Sequence, residues 1–166
     1  MRKKIWNEGV TLVEVAVVLS VISIVSALAF PSVIGFMPRL QLSSQVSALQ
    51  NDIQRAKMKS ISLNTIYRIH FFLNSYPTTD KYKGYFYNPD SDTWTSDMEM
   101  FEQEINKNVD IAYIDNSTST SGVYPMYFLS DGTCVSGDLY FTNTLGQKKR
   151  VEILETTGFI KVFNSW

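Results

Sequence analysis

The sequence is poor in the residue types that build disulfides, metal sites and most catalytic sites. Cys134 is its only cysteine and His70 its only histidine. A single cysteine cannot form an intrachain disulfide, so we expect Cys134 to be a buried thiol. His70 has no cysteine or histidine companion at a metal-ligand spacing, which favours a core or edge residue of a strand over a metal ligand or a base. We predict no metal and no cofactor.

Catalytic motifs and an excess of one charge are missing as well. We find no nucleophile–base pair, phosphate-binding loop or cofactor motif, and Ser130-Asp131-Gly132-Thr133 is typical of a turn rather than of a nucleophile elbow. Residues 88–92, Asn-Pro-Asp-Ser-Asp, are at most a weak calcium loop, because they lack the glycine and closing glutamate of an EF-hand. The net charge of −1 does not indicate a globally basic nucleic-acid binder. We expect a protein that is not an enzyme.

What the chain does have is a long apolar run behind a short basic leader. Between Val10 and Met37 there are 28 residues, of which Glu14 is the only charged one. A helix of that length extends about 42 Å, more than the roughly 30 Å hydrocarbon core of a bilayer. Three basic residues at 2–4 precede it, so the positive-inside rule predicts a cytoplasmic N-terminus and an extracytoplasmic remainder.

Two other kinds of protein share this arrangement of charge and apolarity. A secretory signal peptide also has a basic start and an apolar middle, and Ser26-Ala27-Leu28-Ala29 fits its small-x-small cleavage site. The acid at Glu14 and the length of the run fit that interpretation poorly. A single-pass membrane anchor without processing is the second alternative.

The residues after the leader resemble the processing motif of the type IV prepilins and pseudopilins. Members of that family are cut after the glycine of a Gly-apolar-Thr-Leu-x-Glu motif, and this chain has Gly9-Val10-Thr11-Leu12-Val13-Glu14. The resemblance covers residues 5–35. It implies a leader over 1–9, cleavage by a prepilin peptidase between Gly9 and Val10, and N-methylation of Val10, where the family more often has Phe or Met. It also implies a single-pass inner-membrane protein that moves into an extracytoplasmic filament.

Two further positions have mechanical roles by the same resemblance. Glu14 becomes the fifth residue of the mature chain, where the family keeps an acid that pairs with the terminal amine of a neighbouring subunit. An acid near the bilayer centre costs about 2.5–3.5 kcal/mol on insertion scales, so its neutralisation in an assembly favours polymerisation. An acid that merely lies at the membrane interface is the alternative. Pro31 becomes the twenty-second residue, where many members have a helix-bending proline, and its missing N–H predicts a kink or local melting near 27–31.

The helix is predicted in two parts, a transmembrane and filament-core part over 10–38 and an amphipathic continuation over 39–63. Steps of four and three residues place one buried face at Leu42, Val46, Leu49, Ile53, Ala56 and Ser60. We expect this face to pack on the chain's own sheet, with a coiled coil to another protein as the alternative. Asn64 is the expected stop.

From 64 to 166 short apolar runs alternate with turn residues, which predicts an antiparallel β-sheet domain. The predicted strands are Tyr67–Leu73, Gly84–Tyr87, Val109–Ile114, Tyr124–Leu129, Leu139–Asn143, Lys149–Leu154 and Phe159–Phe163. Gly146 and Gly158 fall in hairpin-like turns, and residues 115–122 are predicted to be a mobile loop. The expected fold is therefore α+β and pilin-like, a long N-terminal helix packed on a C-terminal antiparallel sheet domain.

A helix that ends over 52–60 and is followed at once by a strand, together with the C-terminal strand pair around 146–151 and 158–162, is similar to the minor pseudopilin H and FimT-like group and to competence minor pilins. This similarity implies a minor pilin or pseudopilin that starts, caps or adapts the filament of a type IV pilus, a type II secretion system or a competence system. Its implied partners are the prepilin peptidase, other pilins and the inner-membrane assembly machinery. The alternative is a DNA-binding minor pilin that contacts DNA through Lys148, Lys149 and Arg150 in a basic hairpin. An enzyme anchored by one helix is a third hypothesis.

Overall fold

The structure, a computed structural model, describes residues 10–74, 79–100, 102–115, 122–135 and 137–166, with the backbone alone at 28–34. These residues form two compact units that divide between residues 37 and 38, and one helix contributes to both. The predicted leader and residues 116–121 of the predicted mobile loop lie outside the described residues.

Helix α1 extends over Leu12–Ser62. Its start is capped by Thr11, whose Oγ1 accepts a hydrogen bond from the backbone N–H of Glu14 at 3.2 Å. This contact satisfies one of the amides that the first turn leaves without an intrahelical partner. The helix includes position 31, and the bend predicted at Pro31 stays a prediction. In the part of the chain that the structure describes, no helical stretch has both the length and the hydropathy that crossing a membrane requires.

The helix ends at Ser62, next to the predicted last residue at 63 and the predicted stop at Asn64. Asn64 has a φ of +48°, in the left-handed region. The N–H of Thr65 bonds the carbonyl of Ser60 at 3.0 Å, and the N–H of Asn64 bonds the carbonyl of Ile61 at 3.2 Å. These two bonds form a Schellman motif, in which the terminal carbonyls of the helix are satisfied by a left-handed residue. The predicted stop at Asn64 is confirmed.

The described residues contain ten strands, all paired antiparallel. They are β1 (Tyr67–Phe72), β2 (Lys81–Asn88), β3 (Thr93–Ser96), β4 (Gln103–Glu104), β5 (Val109–Ile114), β6 (Val123–Phe128), β7 (Cys134–Val135), β8 (Leu139–Asn143), β9 (Lys148–Leu154) and β10 (Phe159–Phe163). The first sheet has the order β3-β2-β1-β6-β7, with β4 also pairing with β2, and the second has the order β10-β9-β8-β5. All seven predicted strands are present.

The core lies between the second part of the helix and the two sheets. Every residue of the predicted helix stripe is at most 2% exposed, and its apolar members share one hydrophobic cluster with the inward side chains of both sheets. In β1 the inward residues are Tyr67, Ile69 and Phe71, none of them exposed. The expectation that this helix face packs on the chain's own sheets is confirmed.

A buried polar cluster connects the last turns of the helix to the first sheet. Asp97, 5% exposed, accepts hydrogen bonds at 2.6 Å from the Tyr67 hydroxyl and from Lys59 Nζ. Burial acts to raise the pKa of Asp97, but these two bonds and one from the Glu99 N–H together lower it. The carboxylate is therefore held in its charged form, and it orients both donors.

Candidate assembly site

The first described part of the helix exposes an apolar surface. Its large side chains are mostly more than half exposed, including Leu12 at 85% and Val13 at 70%, and Val10, two residues before the helix, is 72% exposed. The hydroxyls of Ser20 and Ser23 donate to the carbonyls four residues earlier, both at 2.8 Å. Because these hydroxyls are satisfied within the helix, they add little polarity to the surface. Such a surface is typical of a helix that needs a cover of lipid or of other helices.

Glu14 is the one ionisable residue in this part of the described helix. It lies in the first turn, where the free N–H groups of the helix favour a negative charge. Together with Val10, Val15, Val18 and Leu19 it lines a shallow depression of about 300 Å³. Glu14 forms no ion pair with any residue that the structure describes. A single carboxylate on an apolar wall is suited to receive one positive charge from outside the chain.

The other residues to which the family resemblance assigns roles are only partly described. Gly9 lies outside the described residues, and so does the side chain of Pro31. Val10 lies two residues before the start of the helix and is largely exposed, so the residue that follows the predicted cleavage site is accessible. The roles of Gly9, Val10, Glu14 and Pro31 stay predictions.

The basic segment 148–150 does not form one patch. It lies in β9, where side chains alternate between the two faces of the sheet. Lys148 Nζ lies 3.8 Å from the Trp166 ring centroid, whereas Lys149 Nζ bonds the Ser43 hydroxyl on the helix at 3.2 Å. Lys149 therefore faces the helix, away from its two neighbours.

Arg150 shares the outer face with Lys148 and is already engaged there. Its guanidinium lies 3.5 Å from Glu152 and 3.9 Å from Asp138, and it covers the Phe163 ring at 4.5 Å. The cations of the outer face are thus held by acidic and aromatic neighbours. The sequence pattern shows three cations in a row, but the strand separates them.

The isolated histidine and cysteine are both parts of the packed sheets. His70 lies on the outer face of β1, 5.0 Å from the Tyr85 ring and 6.3 Å from the Phe72 ring. Burial, with the charge of Arg68 as a smaller cause, lowers the pKa of His70 to about 4. Cys134 is buried, as expected. Over the described ranges, no three His, Cys, Asp or Glu side chains gather into a group that could hold a metal ion.

The segments 130–133 and 88–92, considered above as a nucleophile elbow and a calcium loop, are turns whose side-chain oxygens accept hydrogen bonds from nearby residues of the same turn. Asp131 Oδ1 accepts bonds from the Thr133 N–H and hydroxyl at 2.9 and 2.7 Å, which confirms a turn at 130–133. Residues 88–92 join β2 to β3, and there Asn88 Oδ1 accepts from the Asp90 N–H at 3.0 Å. These oxygens serve the local backbone.

Two features of the chain were missed from the sequence. The cap at Thr11 had a signal, because Thr11 and Glu14 have the Thr-x-x-Glu spacing of a capping box. Trp166 had none. Its ring packs 5.4 Å from Tyr113 and 5.2 Å from Tyr140, and its Nε1–H donates to the Phe141 carbonyl at 3.4 Å. These contacts depend on strands far apart in the sequence.

Comparison with known proteins gives one informative similarity. No family model matches this chain, and no curated protein matches it. The structure is similar to the crystal structure of the minor pseudopilin EpsH from the type II secretion system of Vibrio cholerae. The two chains are 13% identical, the match covers 78% of this chain and 97% of that one, and the TM-score is 0.52. At this identity the similarity concerns the fold, and it confirms the predicted α+β, pilin-like architecture.

Proposed function

We propose that this chain is a minor pseudopilin-like subunit of a type IV-type filament, with a structural and not a catalytic role. One combination supports the proposal. An EpsH-like fold is joined in the same chain to a helix start where Glu14 stands alone among exposed apolar side chains. A soluble enzyme or binding module would gain nothing from such a helix, whereas a filament subunit requires one.

In the proposed mechanism a prepilin peptidase hydrolyses the Gly9–Val10 bond in the inner membrane. The hydrolysis releases the leader with Gly9 as its terminal carboxylate and leaves a free amine on Val10. In a second step the peptidase would transfer a methyl group to that amine from a separate methyl donor, and the methylated amine stays protonated. That amine is the positive charge that the Glu14 carboxylate of a neighbouring subunit would receive. The first part of the helix then joins the filament core, and the sheet domain faces outward.

Assembly would be driven by neutralisation of the Glu14 carboxylate, which is unfavourable in the bilayer, and by packing of the apolar side chains around it against other helices. Insertion of a carboxylate near the bilayer centre costs about 2.5–3.5 kcal/mol, and an ion pair within the filament offsets that cost. Val10, Leu12 and Val13 exchange lipid contacts for helix contacts in the same step. Assembly is therefore favoured only for a processed chain that carries both the amine and the acid.

Processing is tested by intact mass and N-terminal analysis of the membrane-extracted full chain, expressed with and without a prepilin peptidase. We expect a chain that starts at N-methyl-Val10 only when the peptidase is present. Gly9→Val is expected to stay uncut. An uncut wild-type chain, or a cut near Ala29, would return the protein to the anchored or secreted classes.

Assembly is tested by the amount of the chain in sheared filaments when the partner pilins and the assembly machinery are expressed with it. We expect Glu14→Val to be cut normally but to fall at least tenfold in the filament fraction. Glu155→Gln, an exposed acid in the turn after β9, is the matched control and should assemble like the wild type. A copy number far below that of the main subunit would distinguish a minor from a major component.

The DNA-binding alternative stays a prediction. The separation of Lys149 from Lys148 and Arg150 leaves at most two of the three cations on one face.

A further inference from the structure

The two sheets end in strands whose outward backbone groups are protected to different degrees. In β5, a bulge between Ile111 and Tyr113 disrupts the edge, and the Asp80 carboxylate accepts the outward N–H of Ile111 at 2.9 Å. At β7 the Cys134 N–H donates to the Glu155 carbonyl at 2.9 Å, and the strand has only two residues. On the other side of the first sheet, β3 and β4 divide the edge of β2 into pieces of four and two residues. Short, bulged or covered edges resist further pairing.

Strand β10 has none of these protections in the part of the chain that the structure describes. It pairs with β9 in an unbroken register from Phe159 to Phe163 and is the last strand of its sheet. It contains neither proline nor glycine. A five-residue edge of this kind is a template for one more strand.

The register determines which backbone groups of β10 face outward. The Asn143 N–H bonds the Gln147 carbonyl across the β8–β9 turn, and hydrogen-bonded pairs then recur at every second residue. Continued through β9, this alternation directs the N–H and C=O groups of Phe159, Lys161 and Phe163 toward β9. The N–H and C=O groups of Ile160 and Val162 therefore point away from the sheet.

The side chains of β10 define what an added strand would meet. Phe159 and Phe163 lie on the outer face with Lys161 between them, and they are 58% and 36% exposed. Lys161 is exposed and forms no ion pair with a described residue. On an added strand, the residue facing Lys161 occupies a non-hydrogen-bonded pair, where facing Cα atoms are only about 4.5 Å apart. The charge of that residue therefore determines whether the added strand is attracted or repelled by Lys161.

We propose that β10 binds an extended segment of another protein by antiparallel strand addition, with an acidic residue of that segment facing Lys161. The apolar residues two positions before and after the acid would cover Phe159 and Phe163. A second copy of the chain fits less well, because the register that pairs the whole strand with itself places Lys161 opposite Lys161. Like charges directly opposite are destabilising. The inference goes beyond the filament role and does not depend on it.

The test uses the purified full chain in detergent and two synthetic peptides, Thr-Val-Thr-Glu-Thr-Val-Thr and the same peptide with a central lysine. We expect the glutamate peptide to bind three- to tenfold more tightly, and to slow amide exchange at residues 160 and 162. Lys161→Glu should reverse the preference between the peptides. The reversal compares two peptides on the same variant, so a loss of stability from Glu152, which lies opposite position 161 in β9, would not by itself produce it.

A second pair of variants separates backbone pairing from side-chain contact. Val162→Pro removes one outward N–H and should weaken the glutamate peptide at least tenfold, whereas Val162→Ala keeps that N–H and should bind within about twofold of the wild type. The proposal would be overturned if the glutamate and lysine peptides bound with equal affinity to the wild type and also with equal affinity to Lys161→Glu. So would amide protection elsewhere, no binding of either peptide at millimolar concentration, or self-pairing through β10 in the absence of peptide.

Discussion

Gly84 lies directly against the buried polar cluster around Asp97. A Cβ at that position would stand 2.1 Å from the Tyr67 hydroxyl and 3.1 Å from Met100 Cβ. The hydroxyl is not free to move, because it donates to Asp97 at 2.6 Å, and Lys59 bonds the same carboxylate. The absence of a side chain at Gly84 therefore determines where the tyrosine and its partner can lie.

Gly84→Ala is expected to lower the free energy of unfolding by about 1–3 kcal/mol, the usual cost of overpacking a tight core. Urea denaturation followed by circular dichroism measures it. Gly35→Ala is the control, because its Cβ meets nothing within 4 Å in an exposed part of the helix, and it should stabilise by about 0.5–1 kcal/mol. An equal loss in both variants would show that the Tyr67 contact is not the cause.

His70 gives the fold a pH dependence. Its pKa in the folded chain is about 4, below the ordinary value near 6.5, chiefly because of burial. The unfolded chain therefore binds the proton first as the pH falls, so stability is full above about pH 6.5 and declines toward pH 4. Between pH 7 and pH 5 we expect His70 to account for a loss of about 1 kcal/mol, after allowance for screening at a partly exposed site.

Urea midpoints at pH 7 and pH 5 measure that loss. In His70→Gln the loss of unfolding free energy between pH 7 and pH 5, obtained from the two midpoints, should be smaller than in the wild type by about 1 kcal/mol. A wild-type and a variant with equal pH dependence would mean that other groups, not His70, titrate in this range.

At the scale of the element, the end of the helix depends on one left-handed residue. Asn64 adopts φ +48° and lets the Thr65 N–H reach the Ser60 carbonyl. Asn64→Val should destabilise the chain by about 1–2 kcal/mol, because a β-branched residue is strained in this conformation. Asn64→Gly should be neutral or stabilising. Thermal unfolding of the two variants side by side tests the cap, and equal effects would contradict it.

The elements that the sequence predicted are those with a local signal. The helix stripe, the stop at Asn64 and the glycine turns at 146 and 158 follow from periodicity and from residues that tolerate positive φ. The missed strands β3, β4 and β7 have two to four residues, too few to show a period. Strand β2 begins at Lys81, three residues before the predicted start at Gly84. The prediction missed its first residues because Lys81 and Lys83 flank the buried Tyr82, so the sequence shows no apolar run there.

At the scale of the whole molecule, the two faces of β9 sharpen the DNA hypothesis. If the chain binds duplex DNA, the contacts come from the outer face, so Lys148→Ala and Arg150→Ala should each weaken binding. Each should also reduce the slope of log K against log salt by about 0.9. Lys149→Ala should change neither, because Lys149 bonds Ser43 on the helix. Fluorescence anisotropy at several salt concentrations measures this.

Lys107→Ala, at an exposed cation outside β9, is the control for a general loss of charge. Three equal effects from residues 148–150 would show that the strand does not separate them in solution. Absence of binding at 50 mM salt would reject the DNA hypothesis and leave the filament role alone.

The sequence by itself determined the α+β order of the elements, the amphipathic stripe of the helix and the place of Glu14 near the start of the apolar run. These features depend on residues within a few positions of one another, because the hydrophobic periodicity and the turn-forming residues of a short segment determine its backbone conformation. Only the tertiary structure decided the division into two sheets, the cluster around Asp97, the contact of Lys149 with Ser43 on the helix, and the position of β10 at the edge of its sheet. Those features depend on which distant strands become neighbours, and no local pattern encodes that choice.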